Sequence, residues 1–146
     1  MSFTDKAESE RRVDAAGAGV PTVYVCITCR GPSGVAASPC PGEHVAAATR
    51  AAAHGTEVEV RSVRCLANCS RGPSAAMRRN GNGHNGGSWT YVFGGLDPVH
   101  APDLIAGARL LAQAPDGILP WRGRPEVLKR SLITRVPPID YREEQE

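Results

Sequence analysis

Aromatic residues are scarce in this sequence, at 5% of the chain, with two tryptophans, three tyrosines and two phenylalanines. Large rings usually dominate core burial, so any core here is small and leans on alanine and valine. No run approaches the roughly 20 apolar residues that a spanning helix needs, so no membrane segment is expected. The first fourteen residues, Met1 to Asp14, are polar and mixed in charge and lack the apolar stretch of a secretion signal. A cytoplasmic, reducing location is expected. A net charge of +2 is too mild to argue for nucleic acid. Catalytic patterns are missing as well. No Ser-His-Asp ordering has a supporting context, and no paired carboxylates stand outside surface strands and tail. The glycine-rich stretch from Gly81 to Gly87 lacks the Lys-Ser/Thr of a phosphate loop and precedes a strand. The histidines His44, His54, His84 and His100 show no ligand spacing and read as surface residues. The chain is expected not to be an enzyme.

What the sequence does have is five cysteines, spaced C-x2-C-x10-C-x24-C-x3-C from Cys26 through Cys29, Cys40 and Cys65 to Cys69. In a reducing compartment, clustered thiols point to a metal rather than to disulfides. A two-iron cluster needs four thiolates. Cys26, Cys40, Cys65 and Cys69 supply them in the pattern C-x13-C-x24-C-x3-C. Cys65 and Cys69 are close enough that one tight turn must present both. Cys29 is an extra thiol and an alternative to Cys26. A tetrahedral zinc site from Cys26-x2-Cys29 and Cys65-x3-Cys69 is the main competing reading, since zinc favours such close pairs; it leaves Cys40 idle. A dithiol redox site at Cys26-Ile27-Thr28-Cys29 would need a helix to start at once and lower the thiol pKa. Arg30-Gly31-Pro32-Ser33-Gly34 breaks helix propagation there.

The rest of the chain reads as α/β. Residues 1–20 are polar and then Ala/Gly-rich, a disordered lead. Thr22 to Cys26 is a β-rich run ending on a cysteine, and Arg30 to Gly42 is a Gly/Pro/Ser loop. Glu43 to His54, alanine-rich and closed by Gly55, predicts a helix. Glu57 to Arg61 alternates as a strand with one wet face, and the parity slips near Ser62, where a bulge is expected. Ser74–Arg79 and Ser88–Phe93 predict a hairpin across an Asn/Gly-rich loop. Pro102 suits the first turn of a second helix carrying Leu104, Ile105, Ala108 and Leu111, ending near Gln113. From Ala114 on, a Pro-rich tail balances six basic against six acidic residues. It holds a short helix at Pro125 to Leu132, and Trp121 is expected to pin it to the domain. The layout is a metal-binding domain at 21–113 with a tail at 114–146.

Two resemblances follow from these strings. Val23-Tyr24-Val25-Cys26, a loop to Cys40, and Cys65-Leu66-x-x-Cys69-x-x-Gly72-Pro73, with the later strand Trp89-Thr90-Tyr91-Val92 and the Asp97-Pro98 turn, resemble the thioredoxin-like [2Fe-2S] ferredoxins. The same module occurs in the small flavoprotein-associated subunit of NADH dehydrogenases and hydrogenases. The resemblance covers about residues 22–113 and implies a thioredoxin-like fold with a small mixed four-stranded sheet, two packing helices and a C-terminal extension. The gap between Cys40 and Cys65 is shorter than that family leads one to expect. The chain is also similar to a bacterial family of small Cys-rich proteins described as predicted metal-binding. That likeness rests on Cys26-x-Thr28-Cys29-Arg30, Trp89-Thr90-Tyr91-Val92-Phe93-Gly94 and Pro115-Asp116-Gly117-Ile118-Leu119-Pro120-Trp121-Arg122.

The functional expectation is a [2Fe-2S] ferredoxin-like one-electron carrier with Cys26, Cys40, Cys65 and Cys69 as ligands. The alternative is a structural zinc-binding or metal-trafficking protein without redox activity, which the second resemblance associates with cobalt or corrin metabolism. Arg30, Arg64 and Arg71 lie near cysteines, and residues 21–113 hold eight basic against five acidic residues. An acidic or flavin-bearing redox partner protein is therefore expected. A homodimer closed by the aromatic strand is the oligomeric alternative to a monomer.

Overall fold

A computed structural model describes residues 20–28, 40–67, 71–80 and 87–138. The expected disordered lead at 1–20 lies, apart from Val20, outside the described residues, as do the hairpin loop at 81–86 and most of the Gly/Pro loop. The chain builds a five-stranded mixed sheet with helices packed on it. Strand β1 (Pro21–Cys26) leads through helix α1 (Pro41–Ala53) to β2 (Glu59–Val63). Strands β3 (Ala75–Arg79) and β4 (Thr90–Phe93) follow, then a 3-10 turn (Pro98–His100) and helix α2 (Ala101–Ala112). A short helix α3 (Glu126–Arg130) and strand β5 (Leu132–Val136) complete the order. In space the strands run β2-β1-β3-β4-β5. Only β1 and β2 are parallel, joined across α1, and the remaining pairs are antiparallel.

The side-chain alternation decides which face is covered. Val23 lies opposite Met77, which lies opposite Tyr91; Val25, Ala75 and Phe93 form the next row. These residues are at most 1% exposed and meet Val45 and Ala46 of α1 and Leu104, Ala108 and Leu111 of α2 in one cluster. Burying each large aliphatic side chain contributes about 1.5–3 kcal/mol. Small residues let the helices come close. Gly107 of α2 lies where a Cβ would run into Leu128 Cδ1 of α3. The alanine face of α1 plays the same part against β1 and β2.

Three expectations need correction. The sheet has five strands, not four, because β5 pairs with β4 from Thr90↔Val136 to Phe93↔Leu132. Its mixed, half-exposed composition hid it. No register shift interrupts β2 at Ser62, which lies opposite Val25 in an unbroken parallel ladder; the irregularity sits at Val92/Phe93 instead. Trp121 does not pin the C-terminal segment, for it is 63% exposed, with Lys129 Nζ 4.9 Å from its ring centroid. Leu119, at 1% exposure, is the anchor. Asp116 Oδ1 accepts from Ile118 N, and Gly117 takes a φ of +73° that turns the chain inward. Leu119 N then donates to the Tyr91 hydroxyl at 2.9 Å, and Leu119 O accepts from Arg124 Nη2 at 2.6 Å. Burial pushes the pKa of Arg124 down.

Arg79, 8% exposed at the end of β3, has its charge spread over backbone. Its Nη1 donates to the carbonyls of Leu111, Ala112 and Ala114, capping the C-terminus of α2. A cation is favoured there by the unpaired carbonyls and the helix dipole. No helix of the described residues is long and apolar enough to cross a membrane.

Replacing Arg79 by Met, which keeps much of the stem, is expected to lower the unfolding free energy by about 2–3 kcal/mol in urea titrations. An unchanged midpoint would show that solvent caps α2 equally well. Tyr91→Phe, which leaves the Leu119 amide unsatisfied, is expected to cost about 1–2 kcal/mol by the same measurement.

Candidate metal centre

Strands β1 and β2 are parallel and in register, with Cys26 opposite Val63, so both run out at the same edge of the sheet. Helix α1 begins at that edge. Ligand sites in α/β sheets form beyond the carboxyl ends of strands and at helix N-termini for this reason.

Cys26 is the last residue of β1 and is 0% exposed. The strand end is fixed on both sides: Cys26 N donates to Ser74 O at 3.0 Å, and Ile27 N donates to Val63 O at 2.9 Å. The Cys26 Sγ lies 3.6 Å from the carbonyl oxygen of Arg64 and 3.6 Å from the Thr28 hydroxyl. Thr28 Oγ1 in turn donates to the same Arg64 carbonyl. Cys40 is the N-cap of α1, 7% exposed, with Pro41 starting the helix. Its N–H donates to Glu43 Oε1 at 3.1 Å, and its Sγ donates to Ile27 O at 2.7 Å. Cys65 is exposed, two residues beyond β2. Ala67 adopts a φ of +58°, and its N–H donates to Cys65 Sγ at 3.2 Å.

Three cysteines far apart in sequence thus share one edge. Cys40 reaches the residue after Cys26, and Cys26 reaches the residue before Cys65. Among the described residues, no group of three or more His, Cys, Asp or Glu side chains is gathered closely enough to hold a metal ion. The proposed ligand Cys69 and the alternative Cys29 lie outside the described residues. The donor chemistry nevertheless suits a thiolate-bound metal. Two of the thiols are buried, one sulfur already accepts an amide proton, and the N-terminus of α1 favours negative charge. The Cys40 thiol must surrender its bond to Ile27 O, since a thiolate has no proton to donate.

Of the histidines, His44 and His54 are exposed, and His100 Nδ1 accepts from Asp97 N at 3.0 Å as part of the turn into α2. His84 lies outside the described residues. Sequence reasoning missed the clamp from Glu43 and the bridge from Thr28. The first was visible as Cys40-x-x-Glu43, the spacing of a capping box with cysteine in place of serine. The second sits inside Cys26-x-Thr28-Cys29.

A solved structure supports the fold. A structure of a thioredoxin-like [2Fe-2S] ferredoxin from Aquifex aeolicus is similar at a TM-score of 0.52 and 16% identity, over 85% of this chain and 100% of that one. A second structure, of the wild-type thioredoxin-like [2Fe-2S] ferredoxin from Aquifex aeolicus at 1.5 Å, gives a TM-score of 0.49 at 16% identity, over 80% and 99% of the two chains. At that identity the first likeness speaks for the fold alone, which is α/β and thioredoxin-like. Comparison with curated proteins gives no match. A family model described as protein of unknown function (DUF1636) matches residues 23–138, and the chain belongs to that family.

Proposed function

We propose that the chain is a ferredoxin-like metal-binding protein that carries one electron on a [2Fe-2S] cluster held by Cys26, Cys40, Cys65 and Cys69. The observation that carries this reading is the delivery of Cys26, Cys40 and Cys65 to one sheet edge by three separate segments. A cluster bound there supplies a reversible one-electron acceptor. The surrounding residues favour the negative charge that such a centre carries. The Ala67 N–H donates to Cys65 Sγ, and the N-terminus of α1 directs its positive dipole end at Cys40. The exposed residues Arg64 and Arg71 add positive charge on either side of the Cys65 turn. The same charge suits an acidic or flavin-bearing redox partner. The likeness in fold to a [2Fe-2S] ferredoxin is consistent with this reading. The competing zinc reading draws on the close pairs Cys26-x2-Cys29 and Cys65-x3-Cys69.

Anaerobic purification separates the two. The expected product is brown, carries two irons and two sulfides per chain, bleaches with dithionite and gains a half-spin signal. A colourless protein with one zinc would end the electron-carrier proposal. Cys26→Ser, Cys40→Ser, Cys65→Ser and Cys69→Ser are each expected to lose the chromophore or alter it severely, while Cys29→Ser keeps it. Colour lost in Cys29→Ser and retained in Cys26→Ser would exchange the two assignments.

Reversing Arg64 and Arg71 together to Glu is expected to lower the midpoint potential by on the order of tens of millivolts, the scale of screened surface charges. A potentiometric titration that shows no change would remove these arginines from the electrostatics of the centre.

A further inference from the structure

Strand β5 closes the sheet at the edge opposite β2, and among the described residues it pairs with β4 alone. Alternate residues of an edge strand direct their N–H and C=O groups outward, where a further strand can take them up. The surroundings of this edge are unusual. Of the exposed large hydrophobic side chains among the described residues, Ile118, Trp121 and Val136 belong to the segment that leads into and through β5, and only Val99 lies elsewhere. From Gly117 to Pro138 that segment carries five basic residues against one acidic residue, Glu126.

Cations and rings are interleaved here. Trp121, 63% exposed, has Lys129 Nζ 4.9 Å and the Arg124 guanidinium 5.1 Å from its ring centroid. Arg135 of β5 lies opposite Tyr91 and so shares the helix-covered side of the sheet; its guanidinium is 4.4 Å from the centre of the Trp89 ring. The pKa of Arg124 is lowered chiefly by burial and further by the charge of Arg135, against the pull of Tyr91, so the two halves of the cluster adjoin. Ion pairs among the described residues are Arg61–Glu59 and Arg109–Glu57, and neither involves Lys129 or Arg135. Charge of one sign opposes the pairing of β5 with a second copy of itself, which would set guanidinium against guanidinium. Guarding an edge in that way requires charge but no exposed tryptophan. Trp and Arg are the side chains that most often anchor protein interfaces.

We infer that the outer edge of β5 receives an extended acidic segment of a partner protein as a further strand of the sheet, with Trp121, Lys129 and Arg135 recognising its side chains. Backbone pairing supplies the affinity, and alternate side chains supply the selectivity. Side chains of an added strand project to opposite faces in turn, so acidic residues at every second position meet the cationic side. A peptide suits this edge better than a nucleic acid. The edge offers C=O acceptors as well as N–H donors, and a phosphodiester has no donor to match the acceptors. Recognition there involves none of the cysteines and needs no metal.

The test titrates the full chain into a short fluorescent peptide that alternates Glu with Val, and follows anisotropy. The Glu peptide is expected to bind saturably, to bind more weakly as salt is added, and to slow hydrogen exchange at the amides of β5. Its fully N-methylated form, which cannot pair as a strand, and a version with Lys for Glu are expected not to bind. Trp121→Ala and Arg135→Gln, the second keeping much of the stem, are each expected to weaken binding by about tenfold at an unchanged unfolding midpoint. Arg135→Lys is expected to retain most of it. Equal affinity for the N-methylated peptide would reduce the surface to a charged patch and overturn the added strand. Tighter binding of oligothymidylate than of the Glu peptide would assign the surface to nucleic acid and overturn the peptide. Wild-type affinity in both Trp121→Ala and Arg135→Gln, or no binding at millimolar peptide, would end the proposal.

Discussion

The parallel pairing of β1 with β2 is the constraint on which the candidate centre depends. It sets Cys26 against Val63, so the chain beyond both strands emerges from one edge. Strand registers are stiff where a face is buried, because a slip of one residue turns every side chain over. Val23 and Val25 are fully buried on the helix-covered face, and this fixes the parity of Cys26 on β1. The placement of the thiols is thus inherited from the packing of valines. Helix α1 supplies the third thiol because it must return the chain across the sheet between two parallel strands. Its N-cap then falls near the end of β1, where Cys40 meets the Ile27 carbonyl.

The opposite side of the molecule is organised by different physics. There the C-terminus of α2, the end of β3 and the segment after residue 113 meet around Arg79 and Tyr91. Backbone carbonyls receive the Arg79 guanidinium, and the Tyr91 hydroxyl receives the Leu119 amide. The segment so anchored returns through α3 and adds β5 to the sheet. Its prolines and charges are those of a surface strap, and its few buried residues, Leu119, Val127 and Leu128, carry the packing.

The β-rich run Thr22–Cys26, the hairpin pattern that ends at Phe93, the alanine run with Gly55 behind it, and Pro102 before Leu104 made most of the fold legible in the sequence. Each of these signals is local, and each element formed near its expected bounds. The edge strand β5 was not legible, because Leu132–Val136 is half exposed and shows no clean period. Trp121 misled because a large ring suggests burial, whereas Leu119 is directed inward by the turn at Gly117. For the candidate site, cysteine spacing named the thiols, but their neighbours were beyond its reach. Glu43 closes a helix turn at a capping-box spacing that the chain itself displays, whereas Thr28 acts through a contact between chain segments that no spacing rule marks.

The manner in which the Arg79 guanidinium is held has a further consequence. That group is solvated by peptide carbonyls and is largely shielded from solvent. The exposed pair Arg109–Glu57, 3.1 Å apart and about half exposed on each side, is open to screening. Salt screens the second far more than the first, so as ionic strength rises the contact of α2 with the end of β3 loses less than the exposed pair does.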